Sequence, residues 1–240
     1  MIFAAGLGTR LYPLTANKPK ALVEYQGKPL LEHAITKIVE AGIEHIVINV
    51  HHFGEQIIDY IAQKHFNATI DISDEREKLL ETAGGLKFAE HFFKNSEQIL
   101  LYNADVISSI DLKKLIEVRG AKCEVPISPS IASLAVRNRQ SSRYFLFEEK
   151  KLRLCGWENT KTNEKKICYE VESPISLAFS GIHIVDKKIF DFIPKNEKIS
   201  FTPLYIELAK DYRIQGYLHD EDTWEDVGKQ PPAEAGRFTS

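Results

Sequence analysis

Four strand-then-helix units in succession, a glycine-rich turn closing the first strand, and a switch to β-rich patterning near residue 120 predict an α/β protein. The expected architecture is a Rossmann-like, doubly wound, mostly parallel sheet followed by a β-rich half. The first strand runs Met1 to Ala5 and enters the turn Gly6-Leu7-Gly8. Leu30, Leu31, Ala34, Ile35, Ile38 and Val39 recur at helical spacing from Pro29 to Glu40, and Gly42 ends that helix. His45 to Val50 is nearly continuous apolar sequence, as befits a strand covered on both faces. A helix follows from Gly54 to about Lys64, then a strand over Ala68–Ile72. Thr82 to Phe93, containing Gly84 and Gly85, reads as the third helix, and Gln98–Tyr102 as the fourth strand, ending in Asn103-Ala104-Asp105.

Beyond residue 120, strands are expected at Ile131–Val136, Tyr144–Phe147, Leu152–Trp157, Ile167–Val171 and Ile175–Val185. Helices are expected at Asp186–Phe192 and Thr202–Asp211, then a strand from Tyr212 to Leu218. Thr223 to Gly228 reads as a turn, and Pro231 to Phe238 as a last helix or a frayed tail. No Ser/Gly/Pro-rich linker or internal repeat interrupts the chain. The expectation is therefore one domain over 1–240, dividing into a first half (1–119) and a β-rich second half (120–240).

At 240 residues the chain can bury a sizeable core, and its net charge of −3 gives no general attraction to nucleic acid or an anionic membrane. Cys123, Cys155 and Cys168 are odd in number and contain no CxxC, which suits reduced thiols better than disulfides or zinc. No apolar run reaches membrane-spanning length, and the chain opens inside a strand with no signal-peptide pattern. A soluble, cytoplasmic protein is expected; its oligomeric state is not written in these motifs.

The chemistry concentrates between Gly6 and Lys20. Two glycines one residue apart let the backbone turn tightly and present N–H groups, while Arg10 and Lys20 add positive charge. That suits a triphosphate at the carboxyl edge of a parallel sheet. A dinucleotide fingerprint fails, because Leu11 stands where its third glycine belongs and the second strand ends without a ribose-binding acid. A P-loop fails too, since no Gly-Lys-Ser/Thr follows at its spacing.

Gly6-Leu7-Gly8-Thr9-Arg10-Leu11-Tyr12-Pro13-Leu14-Thr15 with Lys18-Pro19-Lys20-Ala21-Leu22 resembles the signature of the sugar-1-phosphate nucleotidyltransferase family. Glu81-Thr82-Ala83-Gly84-Gly85, Asn103-Ala104-Asp105, Phe179-Ser180-Gly181 and Trp224-Glu225-Asp226-Val227-Gly228 extend the resemblance in the family's order over nearly the whole chain. The length is similar to that of the family's short, single-domain members. The resemblance implies attack of a sugar 1-phosphate on the α-phosphorus of a nucleoside triphosphate, with Mg²⁺ as cofactor, and makes 1–119 the nucleotide-binding half and 120–240 the sugar-binding half. Ala5, Gly6, Gly8, Thr9, Arg10 and Lys20 would hold the triphosphate, and Glu81 and Gly85 would border the base. Arg10, Lys20 and Asp105 would serve catalysis, with Asp105 and Asp226 on one metal ion. On the sugar side, Ser180 and Gly181 match the family, whereas its Glu-Lys pair is missing from Gly156–Lys161, leaving Lys161 as the candidate for the sugar phosphate. A carboxylate at Glu81 favours GTP or UTP over CTP. A cytidylyltransferase acting on a phosphate such as phosphocholine, and a non-catalytic nucleotide-sugar-binding regulator, are the alternatives.

Plainer roles exist for most of these residues taken singly. Asp105 could cap a helix, Asp226 could sit in a turn, and Glu81 could complement a helix dipole. His51 and His52, adjacent in an extended segment, point to opposite faces and make a poor metal pair. Trp157 and Trp224 read as packing residues, and Glu148 to Lys151 as a solvated hairpin turn.

Overall fold

The computed structural model describes residues 1–120 and 130–229. Cys123 and the segment Pro231 to Phe238 lie outside the described residues. The chain begins with β1 (Ile2–Phe3), a small hairpin of β2 (Glu24–Tyr25) and β3 (Lys28–Pro29), and α1 (Leu30–Glu40). Next come β4 (His45–Val50), α2 (Gly54–Ala62), β5 (Thr69–Asp74), α3 (Glu81–Phe88), β6 (Gln98–Asn103), β7 (Val106–Ser108) and α4 (Leu112–Gly120). The second half supplies β8 (Ser130–Arg137), β9 (Arg143–Glu148), β10 (Leu154–Asn159), β11 (Glu164–Ile167) and β12 (Pro174–Asp186). It ends with α5 (Phe201–Leu208), β13 (Arg213–Leu218) and β14 (Trp224–Asp226).

One ten-stranded sheet runs β11-β10-β9-β12-β6-β1-β4-β5, with β8 paired to β12 and β13 beyond it. Its nucleus is parallel: β1 lies between β4 and β6, with Phe3 level with both Asn49 and Asn103. The 13-residue β12 joins the halves, running antiparallel to β6 at one stretch and to β9 at another. Apolar side chains pack on both faces. One cluster gathers Leu101, Leu134, Phe147, Phe201 and Tyr205, and the other Ile2, Leu31, Ile35, Ile48, Tyr102 and Ile182. Each such side chain, fully buried, contributes roughly 1.5–3 kcal/mol of transfer free energy. Residues of both halves stand in each cluster, so the parallel nucleus and the antiparallel extension share their packing.

Strong periodicity placed the long elements well, and short ones differ. The first strand shortens to Ile2–Phe3 because the Ala4 and Ala5 amides turn away from the ladder to a side chain. The strand expected at Ile167–Val171 lies at Glu164–Ile167, a fully exposed edge whose charges gave no alternation to read. The expected turn at Thr223–Gly228 contains β14, which pairs antiparallel with β7, Asp226 opposite Val106. Neither three-residue strand carries a periodic signal; each is set by its partner. Among the described residues, no helix is long and apolar enough to cross a membrane.

Candidate active site

The carboxyl ends of β1, β4 and β6 open into a cavity of about 550 Å³. Phe3 to Gly6, Arg10 and Lys20 line it from the turn, Asn49 from β4, and Asn103 to Asp105 from the end of β6. Leu79, Glu81 and Thr82 form another wall, and Arg143 and Ser200 come from the second half. The cavity thus sits where ligands gather in open α/β sheets.

The turn is held from three sides. Gly8 has φ +66°, a left-handed conformation that costs a side-chain-bearing residue, and a Cβ there would come within 2.9 Å of both Lys20 and Thr15. Thr15 Oγ1 donates to Gly8 O at 2.9 Å. Leu11, buried in a small cluster with Val23, Tyr25, Leu30 and Val227, anchors the far end. The Ala4 and Ala5 N–H groups donate to Asn49 Oδ1 at 2.8 and 3.3 Å. Among the described residues no hydrogen bond engages the amides of Gly6, Leu7 and Gly8, and these residues are exposed or half-exposed. Ala5 therefore borders the cavity with its amide already committed, while the glycine amides can receive an anion.

Lys20 Nζ forms an ion pair with Asp105 Oδ2, both groups being mostly buried. The backbone at Gly228 presses on this pair, since a Cβ there would overlap Lys20 Nζ and Asp105 Oδ2. Val227 N donates to Asp105 O at 3.0 Å, so the β14 segment bearing Asp226 is tied directly to the Asp105 backbone. Two carboxylates distant in sequence thus arrive on adjoining segments. Arg139 lies in the field of Asp226, its guanidinium 4.3 Å from the Trp224 ring centroid and donating to Phe179 O at 2.9 Å.

Glu81 stands at the start of α3 with φ +61°, strained for a residue with a side chain. Its carboxylate is 3.7 Å from Lys198 Nζ. Gly85 does not reach the cavity. A Cβ there would fall 2.6 Å from Glu75 Oε1, so this glycine makes room for a buried carboxylate. Thr9 opens a short 3₁₀ turn, Thr9–Leu11, and is exposed beside the cavity.

On the sugar side the structure does not bring the sequence candidates to this cavity. Lys161 occupies the exposed turn after β10. Ser180 is fully buried, its hydroxyl 2.7 Å from His219 Nε2, and its carbonyl accepts from Trp224 Nε1. Gly181, with φ +77°, packs so closely that a Cβ would come within 2.8 Å of the Asn103 side chain. These two residues join β12 to β6 and β13. With Asp222 Oδ2 3.7 Å from His219 Nδ1, the set mimics a hydrolytic triad. Burial lowers the His219 pKa to about 4 and leaves no approach for a substrate, so the triad is a structural joint. Asn49, Asn103 and Arg143 are cavity residues that the sequence reading missed. A polar Asn49 inside an apolar strand was a usable signal; Arg143, on an ordinary hairpin, offered none.

A glycine-rich turn with two cations thus faces a carboxylate at the end of a parallel strand of an α/β sheet. The chain belongs to the nucleotidyl transferase family, whose profile matches residues 1–232. It is 46% identical over 92 residues to the N-acetylmuramate alpha-1-phosphate uridylyltransferase of Caulobacter vibrioides, covering 37% of this chain and 38% of that protein. To the mannose-1-phosphate guanyltransferase of Pichia angusta it is 29% identical over 237 residues, covering 95% of this chain and 60% of that one. The aligned regions thus span less than two thirds of either relative. Among solved structures, HddC from Yersinia pseudotuberculosis complexed with GMP-PN superposes with a TM-score of 0.73 at 20% identity, over 98% of this chain and 96% of that one. That likeness establishes the Rossmann-like fold.

Proposed function

We propose that this protein transfers a nucleotidyl group from a nucleoside triphosphate to a sugar 1-phosphate and releases pyrophosphate. The observation that carries the reading is the meeting of Gly6, at the head of the glycine-rich turn, with Arg10, Lys20 and Asp105 in one cavity. An oxygen of the sugar phosphate attacks the α-phosphorus in line, the bond to the bridging oxygen breaks, and pyrophosphate leaves with that electron pair. Such a reaction asks for positioning and charge neutralisation and needs no covalent nucleophile. The Gly6–Thr9 amides and Arg10 hold the β- and γ-phosphates, where charge accumulates on the leaving group. Lys20, a point charge on a flexible stem, moves between Asp105 and the phosphates.

The donor set suits a magnesium ion. Asp105 and Asp226 sit on directly bonded segments and offer hard carboxylate oxygens, and Mg²⁺ is usually held by one or two carboxylates with phosphate and water completing its shell. Those two residues would hold it. When bound, the ion supplies charge neutralisation to the phosphates.

Glu81 at the cavity wall can accept from N1–H and N2–H₂ of guanine or from N3–H of uracil, whereas cytosine presents acceptors there. The uridylyl- and guanyltransferase relatives support the same pair of bases. Arg143, the third cation lining the cavity and the one from the second half, supports a role for that wall in receiving the acceptor phosphate.

Pyrophosphate release with ATP, GTP, CTP and UTP, each against a panel of sugar 1-phosphates and phosphocholine, tests the reading. It stands if GTP or UTP with a sugar 1-phosphate turns over. It fails if only CTP with phosphocholine does, or if nucleotides bind and nothing turns over.

A further inference from the structure

A buried polar chain runs from the glycine-rich turn to a residue outside the cavity. Asn49, 2% exposed, is level with Phe3 in the β1–β4 ladder. Its Oδ1 receives both the Ala4 and Ala5 amides, and its Nδ2 donates to Glu75 Oε1 at 2.8 Å. Glu75, also 2% exposed, follows β5, and its own N–H donates to Val50 O at 2.9 Å. The Asn49 amide has two orientations of nearly equal shape and opposite polarity. The Ala4 and Ala5 N–H groups favour the orientation that turns oxygen towards the loop, and an acceptor at Nδ2 locks the amide in that plane from the other side; flipped, it would set NH₂ against two N–H groups and oxygen against Glu75.

Packing alone does not account for an acid here. Among the described residues no lysine or arginine is paired with Glu75, and desolvation pushes its pKa up to about 6, against the pull of the Asn49 amide and the Leu80 N–H. Burying a carboxylate without a counter-charge is costly, and an apolar side chain of similar volume would be cheaper. The site is also shaped for the pair. A Cβ at Gly85 would stand 2.6 Å from Glu75 Oε1 and 3.1 Å from Asn49 Nδ2. That glycine belongs to α3, the helix whose first residues, Glu81 and Thr82, line the cavity. The end of β1, β4 and the residue after β5 therefore meet on one buried hydrogen-bond line, and α3 packs against it through Gly85.

We propose that Glu75 is a positioning residue of the nucleotide site, orienting Asn49 so that the Ala4–Ala5 backbone presents the glycine-rich turn to the triphosphate. This rests on reading that turn as the triphosphate cradle. Loss of the acceptor frees the Asn49 amide and weakens triphosphate binding, while the acceptor phosphate, held from the second half, is unaffected.

The test is steady-state kinetics of Glu75→Ala and Glu75→Gln, each substrate varied with the other saturating, well below the melting temperature. Glu75→Ala should raise KM for the nucleoside triphosphate roughly tenfold, as loss of a buried hydrogen bond of ~1–1.5 kcal/mol would. KM for the sugar phosphate should stay within about twofold. Glu75→Gln, whose amide oxygen still accepts from Asn49, should return the triphosphate KM to within about threefold of wild type. Equal rises in both KM values, a fall in kcat alone, or a Gln variant as impaired as the Ala variant would overturn the proposal. Glu75→Met, similar in volume and lacking an acceptor at that site, replaces Glu75→Ala should the latter not fold. If wild-type protein turns over no substrate pair, the proposed activity fails separately. Calorimetric titration with a non-hydrolysable triphosphate then reads the same Glu75 contrast as a change in Kd, and unchanged binding in Glu75→Ala overturns it.

Discussion

The two sides of the cavity are built differently. The cradle side is nearly contiguous: Gly6 to Lys20 is one loop between β1 and the β2–β3 hairpin, and its geometry is fixed by a left-handed glycine, a threonine bonded to it and one buried leucine. The opposite side is assembled from separate strands, with Arg143 from β9 and Ser200 from the approach to α5. A contiguous loop writes its constraints into neighbouring residues; a wall made by tertiary pairing does not. Where motif blocks of the second half were followed literally, to Ser180 and Gly181, they led to residues that hold β12 against β6 and β13.

The substitutions that probe this contrast begin with the largest effect. Asp105→Ala removes the partner of Lys20 and one proposed metal carboxylate, and should reduce turnover by at least ~10³-fold with the far-UV CD spectrum unchanged. Near-normal turnover would remove Asp105 from the chemistry. Lys20→Ala should lower kcat by ~10²–10³-fold, as loss of charge stabilisation at the leaving group does; a rise in KM alone would make it a binding residue only. Arg143→Ala tests the other wall. It should raise KM for the sugar phosphate by roughly 10–100-fold, the range expected for a charge-assisted hydrogen bond, and leave KM for the triphosphate near its original value. A change confined to the triphosphate would move Arg143 to the cradle.

Stability separates the walls as well. Glu75 has its pKa raised by burial from 4.5 to about 6, so the folded state favours the protonated acid. Its contribution is fully present below pH 4.5 and is lost as pH rises through about 6, a change of ~2 kcal/mol. Subtracting the denaturation curves of Glu75→Gln from those of wild type should expose this step between pH 4 and 7. A flat difference would show that Glu75 titrates normally. Ser180→Ala should cost ~1–3 kcal/mol of stability by leaving buried His219 without its partner, with both KM values within about twofold. Lys161→Ala, on an exposed turn, should change neither stability nor kinetics; a raised KM for the sugar phosphate would give the acceptor site back to Lys161.

Legibility followed the same division. His45–Val50 and α1 were readable because apolar period and length agree with burial on the sheet. The cradle was readable because glycines, Arg10 and Lys20 stand at fixed spacing along one loop. β14 was not, since Trp224, Glu225 and Asp226 become a strand only against Val106–Ser108, more than a hundred residues earlier. Gly85 looked like a base contact in its motif, yet it accommodates Glu75, a relation that requires β5 and α3 to be packed first. Arg143 enters the cavity through strand order alone.

In the proposed reaction the loop from Gly6 to Lys20 holds the leaving group while Asp105 and Asp226 serve the reacting phosphate. A crystal structure with a non-hydrolysable GTP or UTP analogue and magnesium tests it most directly. The β- and γ-phosphates should lie on the Gly6–Thr9 amides and Arg10, and the ion on Asp105 and Asp226 beside the α-phosphate. A triphosphate bound away from the glycine turn, or an ion well removed from Asp226, would contradict it.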